Sequence, residues 1–166
     1  MPLLSLTNFQ VTYRSGRSLL SYPTQSPVKH WRADLPVCQV GSLGVNSALF
    51  SRSGLRTAEL SCPLLEDGHW MFMRSYSLES VKLYAPMLKN GKYMFAYCSG
   101  LASFEGDLSS LEDGTYFTEG GTYNMTSFQA DLPSLTNGNQ MFSAAKLDLP
   151  SVQRIAHTIK DNSAMD

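Results

Sequence analysis

Residues 101–114 read LASFEGDLSSLEDG, and residues 125–138 repeat the phrase as MTSFQADLPSLTNG. The recurrence runs through most of the chain. Gly68, Gly91, Gly114 and Gly138 are spaced by 23, 23 and 24 residues. Each follows an Asp or Asn (Asp67, Asn90, Asp113, Asn137) and lies three residues past a leucine (Leu65, Leu88, Leu111, Leu135). Met71-Phe72, Met94-Phe95 and Met141-Phe142 come next, and Tyr116-Phe117 takes their place in a third unit that carries an insertion, TEGGTYN. A worn earlier unit matches through Trp31, Asp34, Leu35, Pro36 and Gly41, with Leu49-Phe50 in the Met-Phe place. Few folds accept such a period. One unit alone cannot bury its apolar face, so the units must stack into a solenoid.

Each coil is predicted to hold one short strand and a return path. The leading apolar residues are Leu55, Leu78, Leu101 and Met125. The Asx-Gly pair predicts a corner, because glycine accepts a positive φ and an Asx side chain bonds its own backbone. Matching positions in successive coils should then lie about 4.8 Å apart, the spacing of paired strands. Like charges stacked at that spacing destabilise a sheet. One column reads Arg32, Glu59, Lys82, Glu105, Gln129, so its signs alternate. A second reads Glu66, Lys89, Glu112, Thr136, and the corners read Asp67, Asn90, Asp113, Asn137. Thr57, Ser80, Ser103 and Ser127 form a hydroxyl row two places before the charged column, on the same strand face.

The unit L-x-x-[FVAW], a proline near the strand end, G-x-x-M-F, and Cys98 three past Phe95 resemble the BspA-type leucine-rich repeat of bacterial surface proteins. The resemblance covers roughly residues 28–150. It implies a leucine-rich-repeat-like right-handed coil with a short parallel β-sheet, mostly strand and turn. It also implies host-matrix or cell-surface ligands and a cell-surface or extracellular location. Cys98 stands alone in its column, where the other coils have Ser53, Ser75 and Ala145.

The domain organisation expected is an N-terminal degenerate repeat or cap over 1–27, about five coils over 28–150, and a C-terminal capping helix and tail over 151–166. In the first part Leu6-Thr7-Asn8 echoes Leu135-Thr136-Asn137, and Leu19-x-x-Tyr22 echoes Leu101-x-x-Phe104; a capping strand pair is the alternative. Leu147 is expected to start a last strand-like segment. Val152, Ile155, Ala156 and Ile159 fall at i, i+3, i+4 and i+7, the apolar face of a helix, with Arg154, His157 and Lys160 on its solvated side. Ser151 or Asp148 is the expected cap, and Pro150 suits the first turn. Laid over the last coil, this helix would hide the open strand edge.

Composition narrows function. Thirteen basic and 14 acidic residues give a net charge of −1, which argues against nucleic-acid and anionic-membrane binding. No apolar run approaches the ~20 residues of a membrane span. The opening MPLLSLTNFQVTYRSG lacks the basic start and apolar core of a signal peptide, which leaves an internal or virion-associated location, a fragment, or another export route. Cys38, Cys62 and Cys98 are odd in number and widely spaced, and His30, His69 and His157 are scattered, so neither a disulfide framework nor a metal site is expected. The catalytic motifs G-x-S-x-G and H-E-x-x-H, the P-loop and G-x-G-x-x-G are missing from the sequence. Glu59 and Glu105 share a face, yet Lys82 stands between them, which suits a salt-bridge ladder better than an acid/base pair.

The sequence therefore predicts a non-enzymatic binding or adhesion module that needs no cofactor. Its strand face would present Arg56, Thr57, Glu59, Glu79, Ser80, Lys82, Ser103, Glu105, Ser127 and Gln129 to a protein or glycan partner. Trp70, Tyr93 and Tyr116, two past each corner glycine, either pack between coils or form an exposed aromatic ridge. The alternative role is a structural spacer or assembly component of a larger surface protein or phage tail.

Overall fold

A computed structural model describes residues 3–6, 30–34 and 50–159. Six strands form one parallel sheet in strict sequence order: β1 (Leu3–Leu6), β2 (His30–Asp34), β3 (Thr57–Ser61), β4 (Ser80–Tyr84), β5 (Ser103–Asp107) and β6 (Ser127–Gln129). A helix, α1 (Leu149–Thr158), follows. The chain is thus a parallel β-solenoid, mostly strand and turn, in which each coil contributes one rung.

The register follows the repeat. Arg32, Glu59, Lys82, Glu105 and Gln129 are successive Cα partners, as are Thr57, Ser80, Ser103 and Ser127. The corners pair as well, Asp67 with Asn90, Asn90 with Asp113, and Asp113 with Asn137. The N-terminal register departs from expectation. Leu4 is the partner of Trp31, so β1 occupies the rung that the echoes assign to Leu19–Tyr22. The expectations for residues 7–29 and 35–49, including the Gly41 corner and Cys38, and for 160–166 lie outside the described residues.

The inward columns make the core. Leu55, Leu78, Leu101 and Met125 are buried, as are Leu65, Leu88, Leu111 and Leu135. Along the strands, volume is traded between neighbouring inward positions. Ala58 and Val81 precede Leu60 and Leu83, whereas Phe104 and Phe128 precede Gly106 and Ala130. A larger residue at the second strand position is met by a smaller one at the fourth, the kind of volume-conserving exchange that packed cores tolerate best. Phe50, Phe72 and Phe95 stack face to face with ring centroids 5.2 Å apart at each step.

Two local expectations are corrected here. The corner glycines Gly68, Gly91, Gly114 and Gly138 do not have positive φ. At three of them a Cβ would meet a side chain of the next coil: the Met94 methyl at Gly68, Leu111 and Phe117 at 3.1 Å at Gly91, and the Met141 sulfur at 2.7 Å at Gly114. The corner itself is held by the Asx side chain, which accepts the N–H two residues on in all four coils, from His69, Lys92, Thr115 and Asn139 at 3.0–3.3 Å. In the third coil, inter-coil hydrogen bonds align Phe117 with Met94 and Thr118 with Phe95, one step beyond the sequence alignment. The insertion then shrinks to a single residue, Gly121, whose φ of 127° only glycine adopts readily.

The helix closes the last coil, but with a rotated face. Asp148 caps it, accepting from the Ser151 N–H at 2.9 Å, with Pro150 in the first turn. Ser151 and Ile155 are buried and Ile159 packs against the core, while Val152 is 47% exposed and Ala156 is exposed. Hydrogen bonding decides this. The terminal strand has N–H groups with no further coil to receive them. Phe128 N–H donates to the Ser151 hydroxyl at 2.9 Å and Leu132 N–H to the Thr158 hydroxyl at 3.1 Å. Leaving such groups unpaired costs more than exposing one Val side chain. The segment around Leu147 forms no strand; it donates two backbone bonds, from Lys146 and Asp148, before entering the helix.

Candidate functional site

The thirteen sequence-predicted site residues fall into two groups. Ten belong to the sheet. Glu59, Lys82 and Glu105 are exposed in one column, Gln129 is half-buried at its end, and Thr57, Ser80, Ser103 and Ser127 form a half-buried row beside it. Arg56 and Glu79 flank the strand entrances. Most of this charge is paired between coils. Lys82 Nζ lies 2.8 Å from Glu105, and Arg56 Nε donates to Glu79 at 2.8 Å. Hydrogen bonding and charge from Glu105 raise the Lys82 ammonium above its usual value, with Glu59 adding to the effect. Lys89–Glu66 at 3.3 Å and Lys92–Asp113 at 3.0 Å continue the pattern around the corner.

The other three, Trp70, Tyr93 and Tyr116, lie in the turn segments. They are half-buried, and Tyr93 stacks on Tyr116 with centroids 5.0 Å apart. Their backbones are unusual. Trp70, Tyr93, Tyr116 and Gln140 have φ of 59°, 53°, 56° and 50°. Each is the third residue of a four-residue turn, as where Met71 N–H bonds Gly68 O at 3.1 Å, a place that ordinarily takes Gly or Asn. The left-handed conformation turns the N–H of the first three toward the next coil: Trp70 donates to Lys92 O at 3.0 Å, Tyr93 to Thr115 O at 3.2 Å and Tyr116 to Asn139 O at 3.0 Å.

A second column of the same kind was missed from sequence. Arg52, Arg74 and Tyr97 have φ of 55°, 62° and 62°, and Gly120 follows at 71°. Their N–H groups bond the next coil at Met73 O, Ala96 O and Glu119 O. The available signal was the four-residue echo within each turn, Trp70 to Arg74 and Tyr93 to Tyr97. This column is outward. The Arg74 guanidinium lies 5.6 Å from the centre of the Tyr97 ring, and the Tyr97 ring lies where a Cβ on Gly120 would sit. Beside it Tyr76 and Tyr123 are 54% and 61% exposed. A surface depression is lined by Arg52, Ser53, Arg74, Tyr76 and Ser77, and a second, sharing Tyr76 and Ser77, continues to Arg56, Glu79 and Gly100.

The column behind this wall is buried and polar. Ser75 donates to Phe50 O at 2.8 Å, Cys98 to Phe72 O at 3.0 Å and Thr122 to Phe95 O at 3.1 Å. Each coil thus bonds the carbonyl of the coil before, which ties successive coils together. Cys98 is one of these pegs, and burial pushes its thiol up to about 12. Among the described residues no three His, Cys, Asp or Glu side chains are grouped to hold a metal ion. Nor is any helix among them long and apolar enough to cross a membrane. Comparison with protein-family models, with curated proteins and with solved structures returns no match.

Proposed function

We propose that the chain is a non-enzymatic binding or adhesion module that presents a rigid repeat wall to a protein or glycan partner. The observation that carries this reading is the choice of side chains at positive φ. A non-glycine residue there costs roughly 1–2 kcal/mol. Seven described positions hold Arg, Trp, Tyr or Gln instead of glycine. Three of them, Arg52, Arg74 and Tyr97, stand in the outward column beside Tyr76 and Tyr123. Arg, Tyr and Trp are the residues that most often dominate binding energy, because they offer large contact area with a polar tip. Strained backbone concentrates at functional positions. In this reading Tyr76, Tyr97 and Tyr123 anchor the partner, and the strand-face residues Arg56, Glu79, Lys82 and Glu105 supply a polar rim.

The resemblance to the BspA-type leucine-rich repeat supports a cell-surface or extracellular partner, and that location is part of the proposal. A net charge of −1 supports a partner other than nucleic acid. A glycan and matrix-protein array, run with the wild type and with Tyr76→Ala and Tyr97→Ala, tests the reading. Capture by the wild type, lost in both variants, is expected. An array without a captured partner would contradict it. One observation favours a spacer or assembly role instead: the strand-face charges are paired within the chain, as Arg56–Glu79 and Lys82–Glu105 are. Under that role the array stays blank.

A further inference from the structure

Eight lysines and arginines lie within residues 50–159. Five have a carboxylate partner: Arg56, Lys82, Lys89, Lys92 and Arg154. Among the described residues the exceptions are Arg52, Arg74 and Lys146. Arg52 and Arg74 are not scattered. Arg52 N–H bonds Met73 O at 2.9 Å, the same inter-coil bond that Arg74 makes one coil later to Ala96 O at 2.8 Å. They therefore hold the same place in successive coils, both at positive φ, and both line the depression closed by Tyr76.

This doublet differs from the paired columns of the strand face. Like charges on neighbouring rungs repel, and the columns Glu59, Lys82, Glu105 and Glu66, Lys89, Glu112 alternate in sign. Here two arginines occupy successive rungs with no carboxylate partner among the described residues, on backbone that glycine would adopt at lower cost. Packing asks little of Arg52, which is exposed; Arg74 is half-buried with its guanidinium over the Tyr97 ring, and the fourth member of the column is already Gly120. What the arrangement provides is a fork of charged donors suited to a planar or tetrahedral anion, with the exposed Tyr76 ring beside it as an apolar platform. The doublet is local and the chain is otherwise near neutral, which fits one anionic group and not a polyanion.

Resting on the binding-module reading, we infer that Arg52, Arg74 and Tyr76 form a subsite for a single acidic sugar residue. The guanidiniums take its carboxylate or sulfate, and Tyr76 packs against its ring.

The test uses the whole chain and three oligosaccharides on one common core, ending in a sialic acid, a 3-sulfated galactose or a plain galactose. Titration calorimetry should show binding of one or both acidic probes, weakened by salt, and at least tenfold weaker binding of the neutral one. Arg52→Gly and Arg74→Gly should each lower the acidic-probe affinity about tenfold. The Arg52→Gly melting temperature should be equal to or above wild type, since glycine relieves the left-handed backbone; Arg74→Gly gains the same relief and loses the contact with the Tyr97 ring. Tyr76→Ala should weaken binding as well. Acidic and neutral probes bound equally, or wild-type affinity in both Arg→Gly variants, overturns the assignment. If all three probes are silent but the array captures a partner that Tyr97→Ala releases, the acidic-sugar subsite is wrong and the binding module stands. If neither experiment finds a ligand, both readings fail.

Discussion

The Ser151 hydroxyl, in the first turn of the terminal helix, accepts the backbone N–H of Phe128 on the last strand at 2.9 Å. A side chain stands where the next coil's carbonyl would be. Together with Thr158 on Leu132, it ends the sheet without exposing an edge that a second chain could extend.

Ser151→Ala leaves a buried N–H unpaired and should destabilise the protein by about 1–3 kcal/mol. Val152→Ala, on the exposed side of the same helix, should cost less than about 0.5 kcal/mol. Urea unfolding with both variants checks the rotation of the helix. The reverse order would restore the face predicted from periodicity.

Gly106→Ala would place a methyl group against the Leu83 carbonyl oxygen and the Phe104 ring. Backbone cannot move aside as a flexible side chain can, so a loss of about 1–3 kcal/mol is expected. Thermal melts of this variant read the cost of the Phe104–Gly106 volume trade.

Cys98 should resist alkylation in the folded protein, because its buried thiol titrates near 12 and donates to Phe72 O. Peptide mapping after iodoacetamide treatment at pH 8 should find it unmodified without denaturant and modified with it. Rapid labelling of the native protein would show that this column is open.

Acid should loosen the corners. Burial raises the Asp67 and Asp113 carboxyls, but hydrogen bonds outweigh it, from His69 to Asp67 and from Thr115 and Lys92 to Asp113, and both end below the usual 3.8. A depressed folded value means stability that is complete above 3.8 and is lost as pH falls through the lower folded value. Asp67→Asn/Asp113→Asn keeps the corner bond, as Asn90 and Asn137 do, and should flatten the decline in melting temperature between about pH 4 and pH 2. An unchanged decline would locate the acid sensitivity elsewhere.

The rungs of the sheet were legible because a repeat copies geometry along with sequence. Once Gly68, Gly91, Gly114 and Gly138 set the period, the alternation of Glu59, Lys82 and Glu105 followed from the spacing of strands. What depended on contacts between coils was not legible. Met94 packs against Gly68 from the next coil, and the positive φ falls two residues later, on Trp70. The helix face was misread because periodicity counts Val152 as apolar and is blind to the N–H of Phe128. Of the candidate site, the strand face was readable by alternation, whereas Arg52 and Arg74 share no residue type with Tyr97 and Gly120. Their common backbone conformation, not their chemistry, makes them a column.

Cross-linking tests the register on which all of this depends. Ser80 and Ser103 are Cα partners on adjacent strands, about 4.8 Å apart on the usual strand spacing and within disulfide reach. In a Cys38→Ser background, mild oxidation should join Ser80→Cys to Ser103→Cys in the folded protein and leave Ser80→Cys with Glu105→Cys, two residues out of register, as free thiols. A disulfide in the second pair and not in the first would contradict the stacking of like positions from coil to coil.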